Sequence, residues 1–132
     1  MAAAIAPEAR ARIAAAARAC GTRLLVLFGS RARGEAGPAS DWDFGYLADE
    51  GFAPEELLAE LVGALAADRI DLVDLGRAGA LLRFRAARDG VPLFECEPGS
   101  FERFQIEAAT FWCDVEPVLR RAYDRLLAEL GS

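Results

Sequence analysis

Five consecutive apolar residues, Leu24-Leu25-Val26-Leu27-Phe28, end abruptly at Gly29. Successive side chains of a strand point to opposite sides, so a run without polar interruption reads as a strand covered on both faces or nearly so. Such a strand needs neighbours beside it and apolar layers above and below it. The segment that follows, GSRARGEAGPASDWDFG, is the second constraint: Gly29-Ser30, then ten residues, then Asp41 and Asp43 flanking Trp42.

Around that strand the chain is punctuated by turn and capping residues. Pro7 suits the first turn of a helix, which Ile5, Ile13 and the alanines carry as an amphipathic segment to Cys20-Gly21. Arg31 to Gly34 completes one or two helical turns starting at Ser30, Glu35 to Ser40 reads as a loop around Gly37-Pro38, and Trp42 to Ala48 is a second strand. A helix is predicted from about Pro54 to Ala67, with Leu57, Leu58, Leu61, Val62 and Leu65 on one stripe, followed by a third strand over Ile70 to Leu75. A further helix, about Arg77 to Arg88, stops at Asp89-Gly90, and Pro92 assigns the short strand Val91 to Glu95 to a sheet edge. From Ser100 onward two helical patterns are predicted, with a break near Asp114 to Pro117.

With 132 residues, 54% hydrophobic and 27% charged, the chain has the composition of one globular domain. Its net charge of −6 makes long nucleic acid a poor partner, although local arginines or a bound divalent cation can reverse the field at one site. All 15 basic residues are arginines and there is no histidine. That removes the usual general base, the commonest zinc ligand, the phosphate-loop lysine and any Schiff-base mechanism. Cys20, Cys96 and Cys113 lack zinc-knuckle spacing and are odd in number, so they read as reduced, buried cysteines of a cytosolic protein. Arg10, Arg12, Arg18 and Glu8 interrupt the alanine-rich start, which leaves no signal-peptide core or membrane span and predicts a cytoplasmic protein.

Strand alternation puts Asp41 and Asp43 on one face and Trp42 and Phe44 on the other. Two carboxylates side by side repel unless something positive lies between them, and a divalent metal such as magnesium answers that need with oxygen ligands. In the third strand Ile70 and Leu72 should join the Trp42/Phe44 face, leaving Asp71 as the third acid and Asp74 to end the strand or begin a turn; a strand bulge would invert this. Gly29 lets backbone approach a ligand closely, and the amides that open the following helix make a phosphate seat, with the Ser30 hydroxyl and the mobile charges of Arg31 and Arg33 beside it.

Gly-Ser, ten residues, then Asp-x-Asp resembles the signature of the nucleotidyltransferase superfamily to which DNA polymerase beta belongs. The fuller string GSRARGEAGPASDWDFG, with RIDLVDL and RFRAARDGVPLFE, is similar to the minimal nucleotidyltransferase antitoxins, from about residue 20 to 96. The resemblance implies an α+β (α/β mixed) fold: a small mixed β-sheet flanked by helices, with an additional helical C-terminal segment over about 99–130 of a single domain. It implies ATP as substrate, held by Gly29, Ser30, Arg31 and Arg33, and two Mg2+ ions held by the catalytic acids Asp41, Asp43 and Asp71. It also implies a partner, a HEPN-type ribonuclease toxin encoded beside it, whose tyrosine receives AMP and which would form a hetero-oligomer with this chain. Two other readings stay open: transfer of a nucleotide to a small hydroxyl compound such as an aminoglycoside, and a non-catalytic module that neutralises its partner by occlusion. Phe101, Phe104, Phe111 and Trp112 read first as helix packing and alternatively as a toxin-binding surface.

Overall fold

The structure is a computed structural model that describes residues 5–130. The apolar run forms most of β1 (Thr22–Phe28), and Leu24, Leu25, Val26 and Leu27 are all 0% exposed. β1 lies inside a four-stranded sheet of order β3-β2-β1-β4. It pairs antiparallel with β2 (Trp42–Ala48) and β4 (Val91–Glu95), while β2 pairs parallel with β3 (Ile70–Asp74). The sheet is therefore mixed, and Pro92, which has no N–H to donate, sits on an edge strand as its chemistry requires.

Both faces of β1 are covered. Leu25 and Leu27 point into a core with Trp42 and Phe44 of the neighbouring β2, Ile13 of α1 (Pro7–Ala19), and Leu57 and Leu61 of α3 (Pro54–Leu65). Leu24, Val26 and Phe28 point the other way, into Ala86, Ala87, Phe104 and Ala108 of α4 (Ala80–Asp89) and α5 (Ser100–Leu130). Between β1 and β2 lies α2 (Gly29–Arg33), a little over one turn long. Both α1 and α3 open on a proline with acidic residues in the first turn, which favours their N-termini.

Several element boundaries and faces differ from the sequence expectation. α3 stops at Leu65 rather than Ala67 because Ala66 adopts φ 49° and its N–H caps the Val62 carbonyl. Of its predicted stripe, Leu57 and Leu61 are buried, whereas Leu58 and Val62 are exposed: the helix rests on the sheet and α1 through a narrower face than five leucines and valines suggest. β3 ends at Asp74 and α4 begins only at Ala80, since Asp74 Oδ1 accepts the Gly76 N–H (2.9 Å) and its carbonyl the Arg77 N–H (3.2 Å), drawing both residues into a turn. The break expected near Asp114 to Pro117 is absent, and α5 runs unbroken with Pro117 inside it. A proline removes one N–H bond and crowds one carbonyl, and the helix formers on both sides carry the helix through. Cys20 is buried as expected, but Cys96 and Cys113 are exposed, one just past β4 and the other on the outer side of α5; all three are free thiols.

Of the aromatic residues in α5, Phe104 is 1% exposed, Phe101 packs beside it, Trp112 stacks on Phe84 at 5.2 Å, and Phe111 stays exposed under Arg83. Phe104 thus anchors α5 to the sheet. Phe104→Ala is expected to destabilise the protein by about 3–5 kcal/mol, read as a lower urea midpoint without a change in slope.

Candidate active site

Strand polarity brings the site together. β1 runs antiparallel to β2 with Phe28 opposite Asp43, so the chain leaves β1 beside the start of β2. β3 runs parallel to β2 with Asp71 opposite Asp43. Three adjacent strands thereby deliver Gly29, Asp43 and Asp71 to one end of the sheet. Trp42 and Phe44 are buried on the α1/α3 side, and Ile70 and Leu72 pack against that same core. Asp43 and Asp71 therefore share the opposite face, while Asp74 is spent on its turn. Asp41 lies just before β2, exposed, at the end of the loop from α2.

Asp43 is half-buried, and burial is the main reason its carboxyl titrates above the ordinary aspartate value. The negative charges of Asp71 and then Asp41 push it further, against a smaller opposing pull from Arg33. The three acids thus feel one another. Yet among the described residues no three His, Cys, Asp or Glu side chains are gathered closely enough to hold a metal as they stand. Like charges without a cation have no reason to converge further.

Gly29 has φ 74°, and a Cβ at this position would run into Asp43 Oδ2. No other residue type fits so close to that carboxylate. Ser30 follows at the start of α2, half-buried, and its hydroxyl has no hydrogen-bond partner among the described residues.

The two arginines of α2 are engaged within the chain rather than mobile. Arg31 donates from Nε (3.2 Å) and Nη2 (2.7 Å) to the Ser40 carbonyl, and its guanidinium lies 4.1 Å from the Trp42 ring centroid. Arg33 pairs with Glu35 at 2.9 Å and reaches Asp89 Oδ2 at 3.7 Å. The hydrogen bond from Arg88, the largest influence, holds Asp89 below the usual carboxylate range. Neither the Arg31 grip nor Asp89 as an anchor for α2 was readable from sequence, since Asp89 has there only the signature of a helix stop. Beside Asp41 opens a cavity of about 330 Å³, lined by Arg31, Ser40, Trp42, Asp68 and Arg69.

A mixed sheet with a Gly-Ser turn at the end of one strand, an acid on the strand beside it and another on the strand beyond that defines the nucleotidyltransferase class. Residues 15–98 match the family described as polymerase beta, nucleotidyltransferase, and the chain belongs to that family. It is 39% identical over 97 residues to protein adenylyltransferase MntA of Aphanizomenon flos-aquae, a match spanning 63% of each chain and so a little under two thirds of the relative. It is similar in fold to a chain in the crystal structure of a toxin-antitoxin with AMP-PNP, at TM-score 0.75 and 24% identity, covering 89% of this chain and 98% of that one. A chain in the complex of tri-AMPylated Shewanella oneidensis HEPN toxin with MNT antitoxin superposes at TM-score 0.69 and 22% identity, covering 91% and 97%. Among the described residues no helix is long and apolar enough to cross a membrane.

Proposed function

We propose that the chain is a cytoplasmic protein adenylyltransferase antitoxin that transfers AMP from ATP to a tyrosine of a partner HEPN ribonuclease toxin and so neutralises it. The observation that carries this reading is the convergence of Gly29, Asp43 and Asp71 at one end of the sheet, in a chain similar to MntA. The similar chains in toxin-antitoxin complexes support a HEPN partner and a hetero-oligomer.

In this reading the Gly29-Ser30 turn seats the triphosphate: backbone amides at the start of α2 and the unpartnered Ser30 hydroxyl donate to phosphate oxygens. Arg33, close enough to Asp43 to act on its charge, adds positive field there. Asp41, Asp43 and Asp71 would hold magnesium, for which an all-carboxylate set is the right donor chemistry and the uncompensated charge around Asp43 the right electrostatics. Two ions bound there would supply positive charge to the triphosphate and to the attacking oxygen. Asp71, exposed on the edge strand, is open to a hydroxyl on another protein and takes its proton. The tyrosine oxygen forms a bond to the α-phosphorus, the bond from that phosphorus to the β-phosphate oxygen breaks, and pyrophosphate leaves with the electron pair. Orientation and electrostatics carry the rate.

The test is intact mass of both proteins after incubation with ATP, magnesium and the product of the neighbouring gene, beside an Asp41→Ala, Asp43→Ala variant. An AMP-sized gain on the partner, absent with the variant, is expected. A tight complex with no gain, and neutralisation undiminished in the variant, would replace transfer with occlusion.

A further inference from the structure

We infer that Arg31 is a positioning residue that sets Asp41 by gripping both of its chain neighbours. Two of its nitrogens converge on the carbonyl of Ser40, immediately before Asp41, and its guanidinium plane covers the indole of Trp42, immediately after it. Asp41 itself makes no hydrogen bond or ion pair among the described residues, so its carboxylate is placed through its backbone. The inference rests on the nucleotidyl-transfer reading and adds a division of labour to it.

The geometry also gives the ten-residue interval a physical meaning. α2 supplies the residues that follow Gly29-Ser30, and the loop from Glu35 then has to return to the start of β2. Within it the Ser40 N–H bonds the Gly37 carbonyl (3.1 Å) and the Gly37 N–H bonds Ser40 Oγ (3.0 Å), a small closed turn. Arg31 ties that turn to α2, the element that opens with the phosphate seat. One guanidinium thus fixes the acid of the loop relative to the seat of the triphosphate. Trp42 is 8% exposed and held in the core, which makes it a firm platform for the stack. A lysine could supply charge here but not a planar fork that donates twice and stacks at once.

This role differs from that of a phosphate ligand in what it changes. Loss of a phosphate contact raises the KM for ATP. Loss of the grip leaves Ser30 and its amides intact and lets Asp41 drift, so the deficit falls on kcat and on the magnesium concentration needed to reach it. Arg31→Ala and Arg31→Lys are both expected to lower kcat by about tenfold to a hundredfold, the scale of a misplaced catalytic group. Both should raise the half-saturating magnesium concentration severalfold while leaving the KM for ATP within about threefold. Without metal, nucleotide or partner, hydrogen exchange at the Gly37 and Ser40 amides should quicken in both variants, with the β1 amides unchanged.

An increased KM for ATP at unchanged magnesium demand would make Arg31 a phosphate ligand and overturn the inference, as would a lysine variant indistinguishable from the parent. Asp41→Ala, run alongside, separates the two levels. If it retains transfer, the catalytic reading of the acids fails; if it loses transfer while both Arg31 variants keep theirs, only the grip fails.

Discussion

Asp43→Asn is expected to lower AMP transfer by about a thousandfold or more, at or beyond the upper end of what one preorganised electrostatic group commonly contributes, while the metal-free protein melts higher than the parent at neutral pH. The two effects point in opposite directions because they share one cause. Asp43 is held half-buried beside Asp71 and near Asp41, so burial first and like charge second penalise its ionised form. A carboxyl whose folded-state value lies above its unfolded one binds its proton more tightly when folded, and the folded state loses stability as pH rises through the interval between the two values. The parent should therefore show a fall in melting temperature as pH climbs from the ordinary aspartate value past the raised one, and a plateau above. Asparagine keeps the shape and drops the charge, so the variant should lack that fall. The gap between the two proteins should be near zero in acid and reach roughly 2–4 °C at pH 7, a modest fraction of a domain's stability. Magnesium should then close the gap by stabilising the parent alone. A variant that melts lower than the parent at pH 7 without metal would mean that the carboxylate is structurally satisfied and that the charge strain is not there.

Much of this arrangement is legible in the sequence alone, and the reasons are local. The apolar run of β1 announces an interior strand because both of its parities are apolar, and the structure buries it on both sides. Pro92 announces an edge because it lacks a donor. The pairing of Ile70 and Leu72 with the Trp42 core follows from period-two alternation and needs only that no bulge intervenes between β2 and β3, where the register is regular. What stayed illegible depends on contacts across the chain. Nothing in Arg31 or Ser40 separately says that a guanidinium will bond that carbonyl, because a backbone oxygen has no residue signature. Asp89 meets Arg33 only because α4 packs beside α2. Pro117 misled for a related reason: its local cost is real, but one missing bond does not decide the fate of a helix of 31 residues.

Gly29→Ala is expected to cost about 2–3 kcal/mol of stability, combining left-handed strain of roughly 1–2 kcal/mol with displacement of a neighbouring group. Transfer should fall by about a hundredfold, because the group displaced is Asp43. Two separate penalties meet at this residue: φ is 74°, and an added Cβ would collide with Asp43 Oδ2. Gly51 provides the control, since its φ is 73° but nothing lies within 4 Å of the position its Cβ would take. Gly51→Ala should cost only the backbone strain and leave transfer unchanged. The collision can then be isolated by a double-mutant cycle measured by urea unfolding. In an Asp43→Ala background the obstructing carboxylate is gone, so Gly29→Ala should cost about 1 kcal/mol less than in the parent, while Gly51→Ala should cost the same in both. If Gly29→Ala is equally costly in the two backgrounds, the glycine serves the turn alone. If the coupling appears, Gly29 keeps the turn open for the carboxylate as well as for a phosphate. The first half of the Gly-Ser signature and the second acid of the Asp-x-Asp are then one packed unit, in which the size of the residue at 29 and the place of the carboxylate at 43 are set together.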